Sequence, residues 1–165
     1  MKCPSCGFNN IEGADSCESC QSDLTHPSHP VSKAPSFLQE RTIREVPPQK
    51  ALCVLPKTSL KEVIEKMGKL KASCAIVAQG NCIKGIFTER DLLFRVVGQK
   101  KLTDPVENAM TVPAITLNEG DSIAYALNKM SLGGYRHIPI LKDERISGVI
   151  SVRDILEFIS KSLVN

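Results

Sequence analysis

The stretch Gly85-Ile86-Phe87-Thr88-Glu89-Arg90-Asp91 returns 63 residues later as Gly148-Val149-Ile150-Ser151-Val152-Arg153-Asp154. Both read glycine, two apolar residues, a hydroxyl, a spacer, arginine and aspartate. The same offset aligns Ser59 with Ser122, Lys66 with Lys129, Met67 with Met130, Ile83 with Ile146 and Leu93 with Leu156 without a gap. An internal duplication of this kind sets the architecture before any local pattern does. Most of the chain after residue 50 is therefore two copies of one unit, and each heptad is a strand turning into a helix.

Working outward, each copy reads β-α-β-β-α. Extended starts at 51–55 and 114–117 precede helices whose apolar residues fall at i, i+3, i+4 and i+7: Leu60, Val63, Ile64, Met67, then Ile123, Ala126, Leu127, Met130. Ser59 and Glu62 have capping-box spacing, and Gly133-Gly134 ends the second helix. Paired apolar strands follow at 74–78 and 83–87, then at 137–141 and 146–150. Final helices are expected over 89–97 and 152–163, and 103–110 links the halves. One such unit leaves apolar surface uncovered, so two pseudo-symmetric copies form one α/β (α+β) module with two equivalent clefts between them. Cys53, Cys74 and Cys82 lie in or beside strands and read as small buried hydrophobes.

Ahead of the repeats stand Cys3-x2-Cys6 and Cys17-x2-Cys20. Two-residue gaps let each pair of thiolates face one ion, and four thiolates in a tetrahedron suit zinc, with iron not separated from it by sequence. Gly7 supplies the turn after the first pair. A segment so short cannot bury enough apolar surface to fold alone, so the metal would supply its folding free energy. Disulfides or a dithiol redox site are the competing readings; a reducing compartment and the lack of a βαβ context argue against both. The organisation expected is a ribbon at 1–24, a linker at 25–50 and copies at 51–109 and 110–165. Pro27, Pro30 and Pro35 among serines mark the linker, whose His26 and His29 are not needed as ligands beside four cysteines. Residues 37–46 suggest a short helix, stopped by Pro47-Pro48, with Phe37, Leu38, Ile43 and Val46 to dock on something.

Composition narrows the classes. An apolar share of 42% and a charged share of 24% suit a soluble globular chain, and the longest apolar runs, five residues at 51–55 and 74–78, are far too short for a membrane span. No apolar stretch follows Met1-Lys2-Cys3-Pro4, so a cytoplasmic location is the default. Residues 1–24 are net −3 and the rest +6, but that excess is spread out and the chain has no Trp, so nucleic acid is a minor reading.

These motifs together resemble a tandem pair of cystathionine-β-synthase-type (CBS) domains over residues 47–163: the two heptads, Tyr135-Arg136-His137-Ile138-Pro139-Ile140, and Met110-Thr111 opening the second copy. The resemblance implies a regulatory module that binds adenine nucleotides or related adenosyl ligands between copies, forms homodimers and acts on an unknown partner protein. It places ribose and phosphate contacts on Thr88, Asp91, Ser151 and Asp154. Residues 1–20 are similar to the short N-terminal zinc ribbons of many prokaryotic proteins, mostly structural or protein-binding, although Gln21 stands where a second glycine is usual.

The residues themselves allow two readings of the turn. Thr88 or Ser151 caps a helix with Asp91 or Asp154 near its positive end. The same end also receives an anion, with Arg90 or Arg153 beside it. Arg136 and His137 correspond to Ser73 and Cys74, so the second turn is the expected ligand site. No nucleophile–base pair or carboxylate dyad appears, and a non-catalytic role is expected.

Overall fold

The structure is a computed structural model that describes residues 3, 8–11, 14, 16–19, 24 and 36–164. It divides into two units, residues 48–117 with 137–150, and residues 1–47 with 118–136 and 151–165.

The first unit holds β1 (Cys53–Val54), helix α2 (Leu60–Leu70), β2 (Cys74–Gln79) and β3 (Cys82–Thr88). It also holds α3 (Glu89–Asp91), which continues as a π-helix over Leu92–Val96. β1 pairs parallel with β2, and β2 pairs antiparallel with β3, giving the order β1-β2-β3. The chain starts α2 at Ser59, whose side chain accepts from the Glu62 N–H at 3.3 Å. Only half of the expected capping box is used in this way, because the Glu62 carboxylate lies 2.7 Å from Lys66.

The apolar stripe of α2 buries Leu60, Val63 and Met67 against Ala75, Val77 and Phe87. On the other face of the sheet Cys74, Ile76, Ala78 and Ile86 pack with Val149. A strand buried on both faces must be apolar without alternation, as 74–78 is. Its larger side chains, Ile76 and Val77, contribute about 1.5–3 kcal/mol each relative to exposure. Cys74 is buried as expected, but Cys53 and Cys82 are exposed, correcting that reading. Cys53 opens a two-residue strand and Cys82 pairs with Gln79 at the hairpin end, where the layers no longer cover them.

Gly85 and Gly148 explain why the heptads begin with glycine. Antiparallel bridges join Ile86 to Thr111 and Val149 to Gln49, so another backbone crosses each glycine. A Cβ on Gly85 would stand 2.5 Å from Met110 Sδ and 2.8 Å from the Thr111 carbonyl. On Gly148 it would stand 2.7 Å from the Gln49 carbonyl and 2.8 Å from Pro48 Cβ. β5 (His137–Lys142) and β6 (Arg145–Ser151) follow the same plan, with β4 (Leu117–Asn118), in the order β4-β5-β6.

The second unit holds α1 (Ser36–Glu40), α4 (Ile123–Gly133) and α5 (Val152–Val164). The helix expected over 37–46 is divided: α1 stops at Glu40, and Ile43–Glu45 forms a 3-10 turn with Ile43 and Val46 buried. Its docking surface is the start of α4. Ile43 N–H donates to the Asp121 carbonyl, Arg44 N–H to Glu119, and Ile123 N–H to Arg41, at 2.9, 2.9 and 3.0 Å. Within the first unit the same bonds recur 63 residues on, as Val106 N–H to the Thr58 carbonyl and Leu60 N–H to Asp104. α4 ends on Gly134 at φ 64, the left-handed cap expected there.

Candidate functional site

Thr88 ends β3 with extended dihedrals and caps α3. Its N–H and hydroxyl donate to Asp91 Oδ2 at 2.9 and 2.7 Å, and its Oγ1 accepts from the Asp91 N–H at 3.3 Å. Capping follows directly from a hydroxyl three residues before a carboxylate. The other oxygen, Oδ1, is also taken: the Thr111 hydroxyl donates to it at 2.9 Å, and Arg95 Nη1 lies 3.4 Å away. Arg95 also donates to the Met110 carbonyl at 2.8 Å. With 5% of its surface exposed, Asp91 is a buried carboxylate satisfied by hydroxyls and a guanidinium. The Arg90 guanidinium lies 5.9 Å from the Phe94 ring centroid, at the outer edge of cation–π range.

The second turn repeats the cap. Ser151 N–H and Oγ donate to Asp154 Oδ2, both at 2.7 Å, and the Asp154 N–H donates to Ser151 Oγ at 3.3 Å. Its surroundings differ. Where α3 and its π-turn carry Phe94 and Arg95, α5 carries Glu157 and Phe158, and Glu157 pairs with Lys161 at 2.7 Å. Arg136 is held at this turn by its own backbone, its carbonyl accepting from the Val152 N–H at 3.3 Å. Ser73 does the same for Glu89 at 3.2 Å in the first copy. Arg136 and Arg153 are both exposed, and among the described residues neither guanidinium has an ion-pair or hydrogen-bond partner. The second turn therefore carries two uncommitted guanidinium groups beside a capped helix end, a combination able to neutralise phosphate.

His137 opens β5, half-buried, in the unit formed by 48–117 and 137–150, whereas Arg136, Ser151, Arg153 and Asp154 belong to the other. Its counterpart Cys74 is a buried thiol. Burial, with a smaller push from the Glu89 carboxylate, raises its pKa to about 12, leaving it unreactive.

Of the four N-terminal cysteines, Cys6 and Cys20 lie outside the described residues. Cys3 and Cys17 are 2% and 1% exposed and share a cluster with Leu24 and Tyr125. The Cys3 N–H donates to the Phe8 carbonyl at 2.8 Å. Asn10, itself 6% exposed, donates from Nδ2 to Cys17 Sγ at 3.5 Å and accepts from the Glu18 N–H at 3.0 Å. An amide N–H aimed at sulfur is an outer contact of the kind that orients a metal ligand. Among the described residues no group of three or more His, Cys, Asp or Glu is assembled.

Sequence reasoning missed Thr111, Arg95 and Asn10. Arg95 had a signal, lying one helical turn beyond Asp91. Thr111 is brought in by a crossing segment, and Asn10 by the turn between the two cysteine pairs.

With this geometry in hand, comparison with known proteins is specific. A CBS domain family model matches residues 43–98 and again 106–161, with starts and ends displaced by 63 residues. The chain is similar to an uncharacterized 17.7 kDa protein of Acidianus ambivalens, 28% identical over 115 residues, 68% of this chain and 70% of that one. It spans 23% of the length of a CBS domain-containing protein of Arabidopsis thaliana, at 26% identity over 76% of its own. An uncharacterized conserved protein of Pyrococcus horikoshii is 29% identical with a TM-score of 0.67, over 73% of this chain and 93% of that one. The same fold occurs in a Pyrobaculum aerophilum CBS domain protein complexed with AMP: 21% identity, TM-score 0.65, 73% and 99% covered. It occurs too in a CBS domain pair in complex with 5′-methylthioadenosine and S-adenosyl-L-methionine: 18% identity, TM-score 0.66, 74% and 98% covered. Two family spans that together fill more than half of its length make this chain a member of the CBS domain family.

Proposed function

We propose that the chain is a non-catalytic regulatory module that binds an adenine nucleotide at its second strand-to-helix turn and signals to a partner protein. Ser151, itself buried, caps the helix end and holds Asp154 toward the ribose, while Arg136 and Arg153 take the phosphate. The carrying observation is that Arg136 is tied to this turn through the Val152 N–H while its guanidinium has no partner among the described residues. The complexes of two CBS neighbours with AMP and with adenosyl ligands support the ligand class. In the first copy Asp91 is already saturated by Thr88, Thr111 and Arg95, which supports a capping role for Thr88 and Asp91, with Arg90 turned to the Phe94 ring.

A ligand-free scaffold is the second reading, favoured by the Ser151–Asp154 cap being satisfied internally. Melting of the full chain with AMP, ADP, ATP, S-adenosylmethionine and NADH separates the two. A bound ligand stabilises by RT ln(1 + [L]/Kd), about 2.7 kcal/mol at a hundredfold excess. Arg136→Ser, which installs the first copy's residue without touching the cap, loses the shift; no shift with any ligand at millimolar concentration leaves the scaffold.

Cys3, Cys6, Cys17 and Cys20 hold one zinc or iron ion in this proposal, as a structural or partner-contacting element. The burial of Cys3 and Cys17 in one cluster and the Asn10 bond to Cys17 support it. A bound ion would supply the folding free energy of the segment, with Asn10 orienting the Cys17 sulfur. Metal content of the purified chain, against cysteine-to-serine variants, tests this part.

A further inference from the structure

We infer that the N-terminal cysteine segment is seated on α4 through Tyr125, so that metal held by the cysteines stabilises that helix. This rests on the metal reading above. A difference between the two copies carries it. On α2 the residues Lys61, Glu62 and Glu65 are exposed, and Glu62 pairs with Lys66 at 2.7 Å. That is the ion-paired stripe of a helix face turned to water. Sixty-three residues on, α4 carries Ala124, Tyr125 and Asn128 instead. Ala124 and Asn128 are 4% and 7% exposed, and Tyr125 is half-buried against Cys3 and Cys17. Lysine is kept at the fourth position, but Lys129 Nζ now lies 5.4 Å from the Tyr125 ring.

The two helices hold the same place in the repeat, although α4 also packs against α1 and α5; the exchange that concerns the cysteines is that of the Glu62 ion pair for the Tyr125 ring. It suits an apolar cover, and the residues covering Tyr125 are the leading cysteines of the two Cys-x2-Cys pairs. Tyr125 also sits in the first turn of α4, its N–H donating to the Ser122 cap at 3.1 Å. A cover fixed there holds down the end where a helix begins to fray. From this contact α4 runs to Gly134, two residues before Arg136 of the proposed ligand turn.

Hydrogen exchange of α4 amides in the full chain, with stoichiometric zinc and after chelation, tests the coupling in wild type and Tyr125→Glu. Metal content is measured on the same samples, and exchange of α5, which lies in the same unit as α4, reports whether each variant is folded. The expected result is that zinc slows α4 exchange about tenfold or more in wild type. In the folded variant the slowing disappears while zinc is still bound. If glutamate is not tolerated, Tyr125→Gln is read in the same way, and Tyr125→Phe must keep the effect. Equal slowing in wild type and variant overturns the inference, as does zinc-loaded wild type with unchanged α4 exchange. Failure of wild type to bind metal overturns the metal reading and the coupling together.

Discussion

Thr111 donates its hydroxyl to Asp91 Oδ1 at 2.9 Å, completing from a separate segment a carboxylate whose other oxygen is held by Thr88. A hydrogen bond to a buried charged group contributes about 1.5–3 kcal/mol. Thr111→Val should lower unfolding free energy by that amount in urea titrations. Ligand-induced melting shifts should persist, because the first turn is assigned a capping role.

Replacing Gly148 or Gly85 with Ala drives a Cβ into crossing backbone, at 2.7–2.8 Å from a carbonyl oxygen in each case. Overpacking of this kind costs about 1–3 kcal/mol. Gly68, inside α2 with nothing within 4 Å of a Cβ, is the control. Gly68→Ala should stabilise by about 0.5–1 kcal/mol. Equal effects at the three positions would contradict the crossing-segment account.

Thiol reactivity should rank the repeat cysteines. Cys82 is exposed and should alkylate first; Cys53 is exposed but partial burial raises its thiol pKa. Cys74, near pKa 12 and buried, should be the slowest. At pH 8 only about one part in ten thousand of such a thiol is thiolate, the reactive form. Iodoacetamide labelling followed by peptide mass analysis gives the order, and early modification of Cys74 in the native chain would refute it.

Asn128 is buried on α4 with Oδ1 unpartnered among the described residues. An unsatisfied buried polar atom costs about 1–3 kcal/mol. Asn128→Leu should therefore raise the denaturation midpoint; a loss of stability would mean that the amide is satisfied in solution.

The fold was legible because duplication left a gap-free offset, which even the backbone bonds of Ile43 and Val106 obey. Strand 74–78 was legible because burial on both faces demands an unbroken apolar run. Exposure was less so: Cys53 and Cys82 have strand-like neighbours, but their cover depends on where layers end. At the turns, the Thr88–Asp91 and Ser151–Asp154 caps followed from spacing. The Thr111 contact depends on a crossing 20 residues away in sequence and leaves no local trace. Tyr125 had a trace, the exchange with Glu62 between copies, whose meaning emerged only when Cys3 and Cys17 were found against it.

The central claim is that the second turn, and not the first, takes the ligand. Calorimetric titration of AMP into wild type, Arg136→Ser with Arg153→Ser, and Arg90→Ser tests it. Charge-assisted bonds of about 1.5–3 kcal/mol each correspond to at least about tenfold in affinity apiece. The prediction is a hundredfold or greater loss in the double variant, about two powers of ten on that scale, with Arg90→Ser binding as wild type. Loss of binding in Arg90→Ser with retention in the double variant would contradict it, and so would no AMP binding in any of the three.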